Sequence, residues 1–181
     1  MDRIEIPLSK KKIILLVIGA LAFVIIGVFF IINPEVFVKH LNIVSITRVR
    51  TVGIASVLFF GVIAIYASWK IRDKRAGLII DENGIFDNSN SVSIGLIKWA
   101  DITEIRTEEV SSSKFLLIYV SNPEVYLNKA TGFRKKVMRL NYKMYGTPLS
   151  ITSNTLKYNF STLEQLLNDG LIAKQVGEIN Q

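Results

Sequence analysis

Residues 10–32 read KKKIILLVIGALAFVIIGVFFII: three lysines, then twenty apolar residues in an unbroken run. At a helical rise of about 1.5 Å per residue, Ile13 to Ile32 covers about 30 Å, the thickness of a bilayer's hydrocarbon core. A second run, Val52 to Trp69, covers about 27 Å on the same basis. It ends in another cationic cluster, Lys70, Arg72, Lys74 and Arg75. Two such stretches back to back predict a transmembrane hairpin over residues 1–75, with spans at 13–32 and 52–69. The first run is too long for a signal-peptide core, and Asn33-Pro34 stands where a small-residue cleavage site would lie, so it reads as a retained anchor.

Charge sharpens this reading. The 181 residues carry a net charge of +7. Residues 1–75 hold eleven Lys/Arg against four Asp/Glu, the whole of that excess, while residues 76–181 hold eleven of each sign. The basicity therefore marks the flanks of the spans and gives little support to a nucleic-acid partner. Arg3 and Lys10–Lys12 precede the first span and four cations follow the second. The connection between the spans carries Lys39, Arg48 and Arg50, partly offset by Glu35. That bias and the even number of spans place both termini in the cytoplasm. Neither run contains a charged residue, which argues against a proton relay or ion pathway. Gly61, Ala64 and Ser68, at i, i+3 and i+7, offer a small-residue face for packing the hairpin.

After Arg75 the pattern changes to short apolar runs broken by turns. Gly77–Ile80 and Ile85–Asp87 flank the turn signal Asp81-Glu82-Asn83-Gly84. Further strands are expected at Ser93–Trp99, Ile102–Val110, Lys114–Ser121, Leu149–Ser153 and Leu156–Phe160. A helix is expected over Glu124–Met144, with Phe133, Val137, Leu140 and Met144 on one apolar stripe. Ser161, with Glu164 three residues on, reads as the capping box of a last helix whose apolar face is Leu163, Leu166, Leu167 and Leu171. Residues 76–175 thus form a second domain and 176–181 a frayed tail. The fold class is an α+β membrane protein. Its soluble part is an antiparallel barrel or bent sheet of pleckstrin-homology (PH)-like type, with an inserted basic helix and a C-terminal helix.

The stretch Gly77-Leu-Ile-Ile-Asp-Glu-Asn-Gly-Ile-Phe-Asp-Asn-Ser89, followed by Ile94-Gly-Leu-Ile-Lys-Trp-Ala-Asp-Ile102, resembles bacterial PH-like membrane proteins with two N-terminal spans. Their strand pair leads into an I-x-W-x-D-I turn. Leu140 to Asn154 looks like a second signature, that of a small subfamily without an assigned activity. The resemblance implies the fold, a place in the cell inner membrane and Trp99, Asp101 and Ile102 as structural signature residues. It carries no catalytic residue over.

The residues themselves assemble no enzyme. The chain has no cysteine and one histidine, His40, in the connection between the spans. No nucleophile motif, phosphate-cradling loop or metal-ligand spacing is present, so no catalytic residue, cofactor or metal is expected. Asp81/Glu82 and Glu108/Glu109 read as ordinary turn and strand-flank carboxylates. Trp99 and Ile102 read as core, with Asp101 accepting backbone N–H bonds at a turn. The most functional-looking element is the basic helix. Arg134, Lys135, Lys136, Arg139 and Lys143, with Lys70, Arg72, Lys74 and Arg75, are candidates for contact with anionic lipid headgroups. The plainer alternative is a solvated outer face on a helix whose Phe133 stripe packs against the barrel. A protein partner would use a strand edge near Asn88–Ser93 or the Ser111–Ser113 loop. The expected function is a non-enzymatic binding or scaffolding module at the inner leaflet. An immunity protein neutralising an antibacterial toxin is the alternative.

Overall fold

The computed structural model describes residues 2–41, 45–111 and 113–179. The chain divides into two compact units, Lys10–Lys74 and the pair of segments Met1–Ser9 with Arg75–Gln181.

The first unit is helical: α1 (Lys10–Ile32), α2 (Pro34–Leu41) and α3 (Ile46–Arg72). Both long helices extend beyond the apolar runs, and the connection that reads as a loop contains α2, with His40 in it. Helices α1 and α3 pack together where glycine meets glycine. A Cβ on Gly27 would lie 2.9 Å from the Gly53 carbonyl oxygen, and one on Gly53 would lie 2.7 Å from that of Gly27. Nearby, Ser56 Oγ donates to the Phe23 carbonyl at 3.1 Å and the Phe23 and Phe60 rings stack at 4.3 Å. The contact face of α3 therefore runs through Gly53, Phe60, Ala64 and Ala67. At about 100° per residue Gly61 is turned roughly 80° off that face, and a Cβ there would meet open space. Of the small-residue face expected from sequence, Ala64 is buried in the packing and Gly61 is not in it.

The second unit is α+β. A four-stranded antiparallel sheet has the order β1 (Ile4–Ile6), β2 (Leu78–Ile80), β3 (Gly84–Asp87), β4 (Gly95–Lys98). A 3-10 turn at Trp99–Asp101 leads into a three-stranded antiparallel sheet, β5 (Ile102–Val110), β6 (Ser113–Val120), β7 (Leu149–Ile151). Among the described residues these are two separate sheets with no closed barrel, so of the expected barrel or bent sheet the antiparallel α+β character is what the structure shows. Between β3 and β4 a side chain at position 84 is impossible, because a Cβ on Gly84 would stand 2.1 Å from the Ile97 carbonyl oxygen.

Strand β1 lies before the helical unit in sequence and pairs with β2, which follows it, through Ile4–Ile80 and Ile6–Leu78. Beyond it, Leu8 bridges Leu156, Ser9 N–H donates to the Thr155 carbonyl at 2.7 Å, and Lys157 N–H donates to Pro7 at 3.0 Å. Residues 2–9, which the sequence division at 75 grouped with the hairpin, are thus part of the α+β unit. Its core contains Ile6, Leu78, Ile80, Ile85 and Ile97 from the first sheet and Leu116, Ile118 and Ile151 from the second.

Three helices complete the unit: α4 (Pro123–Lys129), α5 (Gly132–Tyr145) and α6 (Phe160–Ile179). The single helix expected over 124–144 is broken at Ala130 and Thr131, both extended, with Gly132 at φ +55°. The expected strand 156–160 shrinks to the Leu156 bridge, because Phe160 already begins α6. Asn159 caps that helix through its Oδ1 on the Thr162 N–H at 2.9 Å. Glu164 is used elsewhere, accepting a hydrogen bond from Thr107 Oγ1 on β5. Leu163, Leu167 and Leu171 form the buried face of α6, which continues past Ala173 to Ile179.

Candidate functional site

Helix α5 is fixed to its unit by one side. Met138 is fully buried, Arg134 Nε donates to the Ser91 carbonyl at 3.3 Å, and Lys135 Nζ donates to Asn128 Oδ1 at 3.1 Å. At the C-terminal end Tyr119 of β6 donates its hydroxyl to the Tyr145 carbonyl at 2.9 Å. Gly146, at φ +76°, closes the helix in the left-handed conformation that a residue with a side chain adopts only under strain.

This anchoring turns the apolar stripe outward. Phe133 is 74% exposed, Met144 59% and Leu140 55%. The packing of the Phe133 stripe on the sheets, the plainer of the two sequence readings, is therefore overturned. Met138, on another face, makes the contact instead. Leu140, Phe133, Met144 and Val137 follow one another within about 60° of arc, and Lys136, Lys143 and Arg139 lie within about 100° of the stripe's edge on one flank. These three cations are exposed, and none has an ion pair or hydrogen bond among the described residues. The helix sequence GFRKKVMRLNYKMY contains no carboxylate. Helix α5 thus presents an exposed apolar stripe beside a cationic flank with no carboxylate on the same helix.

The remaining candidates divide. Arg72, Lys74 and Arg75 are exposed. Lys70 is not: it is 8% exposed and its ammonium donates to Asp73 Oδ2 at 3.1 Å, which removes it from the exposed cations. The segment 88–93 is a folded turn and not a strand edge. Asp87 accepts from the Ser89 N–H at 2.8 Å, Asn90 from the Val92 N–H at 2.8 Å, and Thr155 Oγ1 donates to the Ser89 carbonyl at 2.7 Å. Ser89 itself is fully buried. In the Ser111–Ser113 loop, Ser112 lies outside the described residues.

The signature residues organise a corner. Trp99 is buried and its Nε1 donates to the Asp81 carbonyl at 2.7 Å, and Ile102 is buried beside the β4–β5 junction. Asp101 differs from expectation: its carboxylate accepts a side-chain bond, from the Tyr126 hydroxyl of α4 at 2.7 Å, while its carbonyl takes the Ser121 N–H. Burial first, and then the bond to Asp101, push the Tyr126 phenol up to about 12. The same hydroxyl accepts from the Lys98 N–H at 3.3 Å, and Lys129 Nζ sits 4.6 Å from the ring centroid. Sequence reasoning missed Tyr126, because a lone tyrosine in a short helix carries no pattern. The tie it makes holds α4 to the sheet and presents no open reactive group.

Comparison with family models, curated proteins and solved structures finds no match to this chain. Among the described residues, no group of three His, Asp or Glu side chains is placed to hold a metal ion.

Proposed function

We propose that the chain is a membrane-anchored, non-enzymatic, PH-like binding or scaffolding module at the cytoplasmic face of the cell inner membrane. Its α5 cations contact anionic lipid headgroups. The observation that carries this reading is the exposed, unpaired set Lys136, Arg139 and Lys143 beside an exposed apolar stripe on α5.

Membrane anchoring is supported by α1 and α3, both long and apolar enough to cross a bilayer. Only 17% of each apolar window is buried, so neither resembles the enclosed core helix of a soluble protein. The pairing of β1 with β2 supports a common side for both ends of the hairpin, since the chain leaves and re-enters one sheet. The division into four strands and three strands, followed by a C-terminal helix, supports the PH-like reading. Span-flanking lysines and arginines support the cytoplasmic side.

The test replaces residues 10–74 with a flexible glycine-serine linker, which keeps both segments of the α+β unit. Each cation near an anionic surface contributes about 1 kcal/mol, so three contribute about 3 kcal/mol, roughly a hundredfold in partitioning. This protein should sediment with vesicles containing phosphatidylglycerol and not with phosphatidylcholine alone. Lys136→Glu, Arg139→Glu and Lys143→Glu together should abolish it. Equal binding to both vesicle types, or no effect of the reversal, refutes the headgroup assignment.

A further inference from the structure

Charge alone accounts for a helix held near an anionic surface, but not for one that keeps Phe133, Leu140 and Met144 on its open side. We propose that α5 is an interfacial anchor: its Phe133–Leu140–Met144 stripe enters the acyl boundary of an anionic bilayer while Lys136, Arg139 and Lys143 remain at headgroup level. This rests on the headgroup reading and adds a depth to it.

Several observations commit the stripe to lipid. The side chains stand on a convex helix surface, 55–74% exposed, and are flanked by lysine and arginine, whose long stems let the charge reach up while the apolar body goes down. No carboxylate on α5 opposes phosphate. The helix is also held rigidly from behind, through buried Met138, the Arg134–Ser91 bond and the Tyr119–Tyr145 bond, so the stripe is offered by an ordered element. Finally, the chain carries two helices with the length and composition of membrane spans, which would keep α5 within reach of one surface. Contact by cations alone is screened by salt, whereas an inserted apolar face stays bound when salt is raised.

The chain has no cysteine, so single labels can be placed without removing any native residue of that type. The full chain carrying Leu140→Cys, or Met144→Cys as an independent second position, is spin-labelled and reconstituted in nanodiscs of phosphatidylcholine with or without phosphatidylglycerol. Collision with oxygen against a water-soluble nickel complex then reads the depth of the label. Both positions are exposed, so labelling leaves the core intact. The expected result is a label below the phosphates in anionic discs, still there at high salt, and moved toward water by the triple charge reversal. A label at headgroup level that still responds to anionic lipid overturns the insertion and spares the headgroup reading. A label in water in every disc overturns both. A label shielded from both collision partners in neutral and anionic discs alike, with dipolar broadening between chains, seats the stripe on a second copy and overturns the lipid assignment.

Discussion

Substituting Ile6, a residue that precedes the first apolar helix, should destabilise a fold made almost entirely of residues that follow the second. Ile6 has no exposed surface, pairs with Leu78 across β1–β2, and accepts the Gly77 N–H on its carbonyl at 2.9 Å. Its neighbour Glu5 points to the other face of the strand, in contact with Arg3 and exposed. Removing a buried isoleucine side chain to alanine costs about 2–5 kcal/mol. Against a domain stability of about 5–15 kcal/mol, that is a large fraction. With a urea dependence of about 1–3 kcal/mol per molar, a 3 kcal/mol loss moves the midpoint down by roughly 1–3 M. Pulse proteolysis of the detergent-solubilised full chain across a urea series, following fragments of residues 75–181, measures this midpoint. Glu5→Ala serves as the internal control and should stay within about 0.5 kcal/mol. If Ile6→Ala leaves the midpoint where Glu5→Ala does, β1 is not part of the unit.

Other consequences follow from particular contacts. Gly53→Val should weaken the α1–α3 contact, where a Cβ at position 53 already meets the Gly27 carbonyl, whereas Gly61→Ala should be neutral; thermal stability in detergent distinguishes them. Tyr126 titrates near 12 in the folded chain, above its ordinary value of about 10. Its contribution is therefore complete below pH 10 and lost as pH rises toward 12, because the unfolded chain gives up the proton first. Tyr126→Phe should remove that component of alkaline destabilisation in urea melts, and an unchanged pH profile would contradict the assignment. With single cysteines, a membrane-impermeant maleimide added to intact cells should label Glu35→Cys, but reach Asp2→Cys and Ser91→Cys only after lysis; the opposite pattern reverses the orientation.

Long apolar runs were the most legible part of the chain, because twenty apolar residues in sequence leave few alternatives to a long helix. Strands β2 to β6 were legible from turn chemistry and β-branched content. Strand β1 was not, although Ile4-Glu5-Ile6 alternates: three residues are too few to outweigh their position beside a span. The break at Ala130–Thr131 was hidden because helical periodicity on both sides masks the positive φ of Gly132. The cations of α5 were readable as a cluster, but the direction of its Phe133 stripe was not. A helix of this composition can turn either face inward, and Met138 decided it through a tertiary contact that spacing does not encode. Lys70 was misplaced although Asp73 stands three residues on, a spacing that allows an ion pair on a helix; what the local sequence does not show is the burial of both side chains.

What the open face of α5 touches in the living cell decides between lipid and protein as its neighbour. A photoreactive phenylalanine analogue at position 133 of the full chain, irradiated in intact cells, reports the neighbour of the most exposed apolar side chain on that helix. Lipid adducts are expected on the purified protein, lost when Lys136, Arg139 and Lys143 are changed to glutamate. A discrete protein adduct at position 133, with no attached lipid, would rule out lipid as the neighbour of α5.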